Sequence, residues 1–214
     1  MSSVAPTASP TVFTETDLKE AAMNMYRNKY SAPGPSGLPI WAFIFPLTQF
    51  NPSESDVEFG QLLLPYLNDL ASGKRWFSVH TRQGTLIALQ KPDNSLRPIV
   101  IPEAEQRFMG QLFLAKFGNS FRSYFEGSQF SLTRSGTGSV AHYVNSYFEK
   151  HSDSFVLQLD FANAFNELSR ARLREVLLSR FPGLAAYFDL LHQDTYHVQF
   201  DSTSIACNEG VLQG

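Results

Sequence analysis

Cysteine is almost missing from this chain. Cys207 stands alone among 214 residues, which excludes an internal disulfide and a zinc site built on cysteines. Histidines at 80, 142, 151, 192 and 197 include no pair at the i, i+4 spacing of a helical zinc site. No serine stands in a G-x-S-x-G elbow, so a serine hydrolase has no support. No apolar run reaches the roughly 20 residues that span a bilayer, and the first residues lack a basic-then-apolar signal pattern. The expectation is a soluble intracellular protein, nuclear or cytoplasmic, neither secreted nor in a membrane. Adjacent aspartates are also missing: no Asp-Asp pair occurs anywhere.

What is abundant is apolar and aromatic. Hydrophobic residues make up 43% of the chain and 19 are Phe, enough for a packed core. The net charge of −3 argues against nucleic acid as a partner, but its distribution does not. Residues 72–134 carry nine Lys/Arg against four acids, a net of +5, while the flanks together hold −8. Such asymmetry marks either an anion-facing lobe or a solvated mixed-charge surface.

Residues 1–14 are rich in Ser, Thr and Pro and lack periodicity, which predicts a disordered tail. Thr14 and Asp17 have capping-box spacing before a helix with Leu18, Ala21, Ala22 and Met25 on one face. SAPGPSGLP, Ser31 to Pro39, is a turn-rich segment. Ser53 and Asp56 cap a second helix to about Ala71, with Pro65 inside it. Residues 85–90 and 96–101 read as strands around the turn Pro92-Asp93-Asn94-Ser95. That hairpin brings Lys91 and Arg97 to one end, either as a clamp for a polyphosphate or as two solvated charges.

A helix is expected over 103–117, an irregular stretch over 121–133, and a glycine-bearing loop at 134–139 opening onto a helix to Lys150. Further helices follow over 168–181 and to about Gln193, the first carrying Arg170, Arg172, Arg174 and Arg180 on a solvated face. A second hairpin spans 196–200 and 204–208. Between these lies FVLQLDFANAFN, residues 155–166, whose apolar run predicts a buried strand ending at Asp160. An aspartate there can ligate a metal or cap the helix that follows.

In order and spacing PGPSG, LIALQKPDNSLRPIVIP, SGTGSVAHYVNSYFE, LQLDFANAFNELSRARL and NEGVLQG resemble reverse transcriptases, the non-LTR (LINE-type) retrotransposon enzymes above all. The resemblance runs from about Ser31 to Gly214. It implies an α+β fold, the fingers and incomplete palm of a right-hand polymerase, with a tail over 1–14, fingers over 15–134 and a partial palm over 135–214. It also implies nucleotidyl transfer from a dNTP to a DNA primer 3′-hydroxyl on an RNA template.

Each functional residue follows from the same likeness. Asp160 matches a palm aspartate that ligates two magnesium (or manganese) ions, with the backbone carbonyl of Phe161 completing one shell. Phe165 matches the bulky gate that excludes a ribose 2′-hydroxyl, which favours DNA over RNA synthesis. Lys91 and Arg97 match the fingers cations on the triphosphate. Gln213 and Gly214 match the border of the nucleotide pocket. The family also uses an aromatic-x-Asp-Asp turn, which this sequence does not contain. The expectation is therefore a fragment, inactive alone, whose metal site exists only in a complete palm. A non-catalytic nucleic-acid-binding module and a degenerate retroelement remnant are the alternatives. An apolar strand left without its neighbours predicts poor solubility or oligomers.

Overall fold

Helix starts are set where side chains satisfy the free backbone N–H groups of a first turn. In the computed structural model, which describes residues 10–75, 82–192 and 195–212, Thr14 and Asp17 close a capping box at the head of α1 (Glu15–Met25). A short helix, α2 (Trp41–Ile44), follows the turn-rich segment. Ser53 and Asp56 repeat the box at α3 (Glu54–Ala71), which holds Pro65 within its span. The hairpin β1 (Gln83–Gln90) and β2 (Leu96–Pro102) leads into α4 (Ala104–Phe125). Then come α5 (Gly136–Lys150), α6 (Arg170–Arg180), α7 (Ala185–His192), β3 (Tyr196–Phe200) and β4 (Thr203–Cys207). The molecule is thus mixed α and β, as the sequence implied.

The main core forms where the apolar faces of α1, α3, α4 and α7 meet. Leu18, Ala22, Leu67, Leu70, Phe108 and Leu112 are buried there, and α7 adds Tyr187 and Leu190. Ring edges lock the layers together: Phe13 meets Phe113 at 5.1 Å, and Phe113 meets Tyr187 at 4.8 Å.

The sheet runs β2-β1-β3-β4. Both hairpins are antiparallel, and β1 joins β3 in parallel through Gln83–His197, Gly84–Val198 and Thr85–Gln199. This parallel seam draws the chain on either side of residue 134 into one sheet. Gly84 is required at the seam, because a Cβ there would lie 2.3 Å from Val100 Cγ1 and 3.2 Å from the Tyr196 hydroxyl. A small second core of Val100, Tyr196 and Val198 covers the sheet, and the Tyr196 hydroxyl donates to Gln106 on α4 at 3.1 Å.

Four expectations about the elements differ from the structure. Residues 10–14 do not behave as a tail: Phe13 is buried, its N–H donates to Asn68 at 2.6 Å, and Thr11 donates to the Gly183 carbonyl at 2.6 Å. Phe13 is the apolar anchor that a composition reading of 1–14 averages away. The helix expected to end near 117 continues to Phe125, because Phe117, Phe121 and Tyr124 keep the helical spacing, Phe117 meeting Phe121 while Phe121 and Tyr124 reach Phe181. The loop expected over 134–139 is already helix from Gly136, after Ser135 takes a left-handed turn at φ 57°.

The largest difference is at 155–159. These residues form no strand, and Phe155 and Leu157 are 87% and 70% exposed. A run of apolar residues specifies a buried strand only when another strand meets its hydrogen-bonding edge. The described strands pair with one another in the order above, and none lies opposite this run.

Candidate functional site

The hairpin turn is held by its own polar residues. The Lys91 N–H donates to the Ser95 carbonyl at 2.8 Å, and the Asn94 N–H donates to the Lys91 carbonyl at 2.9 Å. Asp93 accepts from the Ser95 N–H at 3.0 Å and from its hydroxyl at 2.7 Å. Those bonds hold the Asp93 carboxyl below its ordinary range. Asn94 takes φ 64°, a conformation asparagine tolerates. The register pairs Leu89 with Arg97 and Gln90 with Leu96, so Lys91 and Arg97 lie at the same end of the hairpin, as the sequence predicts.

Facing that end is the chain from Asp160 to Asn166. Asn163 turns it at φ 52°, and its carbonyl accepts from the N–H groups of Asn166 (2.9 Å) and Glu167 (3.0 Å). Between the two lies a cleft of about 250 Å³. Lys91, Leu96, Arg97 and Pro98 form one wall, and Asp160, Phe161 and the residues from Asn163 to Asn166 form the other. Five of the sequence-predicted residues therefore share one opening: Lys91, Arg97, Asp160, Phe161 and Phe165. Asp160 is exposed and sits in an irregular segment rather than at the lip of a strand. Gln213 and Gly214 lie outside the described residues.

Behind the cleft, the chain following β4 closes on the turn. The Val211 N–H donates to the Phe165 carbonyl at 2.8 Å and the Gly210 N–H to the Leu168 carbonyl at 3.2 Å. Arg170, expected on a solvated helix face, is instead half-buried. Its guanidinium donates to the carbonyls of Gly210 (2.7 Å), Cys207 (3.0 Å) and Glu209 (3.1 Å). Burial lowers its pKa. No spacing rule separates Arg170 from its solvated neighbours, because its partners are backbone atoms 37 to 40 residues away. Asp189 makes a two-pronged pair with Arg174 at 2.6 and 2.8 Å, which joins α6 to α7.

Volume does not select this cleft. A larger cavity of about 480 Å³ lies between α1 and α3, lined by Leu18, Met23, Leu47, Phe50 and Val57 among others. Among the described residues, none of the candidate nucleotide ligands lines it, and its lining is mostly apolar. The smaller cleft has the charged groups that chemistry on an anion needs.

Among the described residues, no group of three or more His, Cys, Asp or Glu side chains is placed to hold a metal ion. Asp160 is the single carboxylate among the described residues that line the cleft. Among the described residues, no helix is long and apolar enough to cross a membrane. No protein-family model matches the chain, and no curated protein matches it.

Proposed function

We propose that this chain is the fingers and partial palm of an RNA-directed DNA polymerase, and that its cleft receives the triphosphate of an incoming deoxynucleotide. One observation carries this reading. Residues about 70 positions apart in sequence, two cations and one acid, share a cleft with the aromatic ring that the resemblance assigns to the sugar.

In this reading Lys91 and Arg97 neutralise and orient the phosphates. Lys91 acts as a compact point charge, while Arg97 offers a planar fork that can bind two phosphate oxygens at once. The Phe165 ring lies under the sugar and leaves no room for a 2′-hydroxyl. Asp160 and the Phe161 carbonyl are hard oxygen donors. They suit one magnesium or manganese ion whose remaining ligands are phosphate oxygens and water. A pair of ions needs more carboxylates than this cleft presents, so no transfer step is assigned to it. When bound, such an ion would supply charge neutralisation at the phosphates. An RNA template and a DNA primer are the proposed partners, and the +5 charge of residues 72–134 supports a polyanion on that side.

Binding of magnesium dATP to the purified chain tests the reading by calorimetry. The double variant Lys91→Ala/Arg97→Ala should weaken binding at least about tenfold, since two charge-assisted contacts are removed. Asp160→Ala should weaken it in magnesium and leave magnesium-free binding unchanged. If all three substitutions leave dATP binding unaltered but Lys91 and Arg97 changes reduce salt-sensitive RNA binding, the chain is a nucleic-acid-binding module without a nucleotide site.

A further inference from the structure

Arg170 is the first residue of α6, directly after its cap, where the Ser169 hydroxyl accepts from the Arg172 N–H at 3.3 Å. A cation there faces the positive end of the helix dipole, so helix stability does not account for it. Its side chain turns away from the helix and gathers the Cys207, Glu209 and Gly210 carbonyls. A guanidinium carries five donors in a rigid plane and can hold several carbonyls together, whereas an ammonium is a single point.

We propose that Arg170 is the positioning residue of the candidate nucleotide site: by fixing the 207–211 segment against the turn at 163–168, it sets the place of the Phe165 ring in the cleft. This inference rests on the nucleotide-binding reading above.

Two backbone bonds carry the constraint from Arg170 to the cleft. Arg170 holds the Gly210 carbonyl, and the Gly210 N–H holds Leu168. One residue further on, Val211 holds the carbonyl of Phe165 itself. The approach leaves no slack, since a Cβ on Gly210 would stand 2.3 Å from the Asn166 carbonyl oxygen and 2.6 Å from its Cα. Gly210 also takes φ +69°, open to glycine at little cost. The three carbonyls that Arg170 holds lie outside the cleft lining, and its constraint reaches the cleft through Phe165, so its loss should alter sugar selection and spare phosphate binding.

The test compares the wild-type chain with Arg170→Ala, Arg170→Lys and Gly210→Ala, using dATP, ATP and inorganic triphosphate with magnesium. Circular dichroism and thermal melting monitor the fold. Wild type is expected to prefer dATP over ATP. Arg170→Ala should bring that ratio close to one while inorganic triphosphate binds within about twofold of wild type. Lysine should fail to restore the ratio, and millimolar methylguanidinium should restore it in Arg170→Ala. Gly210→Ala, which forces the segment off Asn166 with Arg170 intact, should reproduce the loss. A wild-type dATP/ATP ratio in folded Arg170→Ala, or in folded Gly210→Ala if the first variant does not fold, overturns the positioning role and leaves the nucleotide site standing. Absence of triphosphate binding by wild type overturns the nucleotide-binding reading and the role of Arg170 with it. Binding of dATP and ATP without preference overturns the gate that Arg170 is said to place.

Discussion

The carboxylate of Glu103 accepts both donors of Ser36, the backbone N–H at 2.7 Å and the hydroxyl at 2.6 Å. Glu103 is only 4% exposed, so these bonds are what its buried charge has in exchange for water. They pull the Pro-Gly-Pro-Ser-Gly turn down onto the start of α4. At Gly34 a Cβ would stand 2.8 Å from Glu103 Cα and 2.8 Å from the Pro102 carbonyl oxygen. Arg107, one turn along α4, donates to Ser31 at 2.9 Å from the same side.

Glu103→Ala should therefore destabilise the chain by about 2–3 kcal/mol, the range for losing charge-assisted hydrogen bonds in a buried place. The variant should also expose residues 31–39 to limited proteolysis. Ser36→Ala removes one bond and should cost about 1 kcal/mol. Equal denaturation midpoints for wild type and Glu103→Ala would show that the clamp does not hold the turn.

His192 gives a pH dependence with a definite sign. Its ring packs on Phe188 at 4.5 Å, and its buried Nδ1 has no hydrogen-bond partner among the described residues. Burial, with Arg170 nearby, lowers its pKa from the ordinary 6.5 to about 4. The unfolded chain then binds the proton more readily than the folded one between these values. Its contribution to stability is complete above pH 6.5 and is lost as pH falls towards 4. At about 1.4 kcal/mol per pKa unit the loss approaches about 3 kcal/mol. His192→Phe should flatten that part of the stability profile, measured by urea denaturation at stepped pH. A wild-type slope in the variant would assign the dependence to other groups.

The apolar run at 155–159 predicts self-association. Phe155, Val156, Leu157 and Leu159 are all exposed and lie in no strand, and exposed apolar chain of this kind recruits another strand. Phe155→Lys/Leu157→Lys should lower the association state in sedimentation velocity without changing the melting temperature. The pair faces solvent, so its loss costs the core nothing. A wild-type monomer across the micromolar range would contradict the prediction.

Much of the local structure was legible in the sequence because its causes are local. Thr14 with Asp17, and Ser53 with Asp56, satisfy the helix starts from within four residues. The hairpin turn was legible for the same reason, since Asp93 accepts from Ser95 and Asn94 accepts from Gln90. What escaped depended on distant partners. Phe13 is ordered by Asn68 and Phe113, and Arg170 by carbonyls beyond residue 206. The apolar run 155–159 failed as a strand because apolarity indicates burial only where a partner is present.

The sequence by itself determined the helix caps, the two hairpins, the shared end of Lys91 and Arg97, and the charge asymmetry between the middle and the flanks. Each depends on residues within a few positions of one another or on composition. Tertiary structure alone decided that β1 pairs with β3, that Asp160 and Phe165 face Lys91 and Arg97 across a cleft, and that Arg170 is pinned to the carbonyls after β4. Those arrangements arise from packing and backbone hydrogen bonds between segments up to about 115 residues apart, for which no local spacing carries a signal.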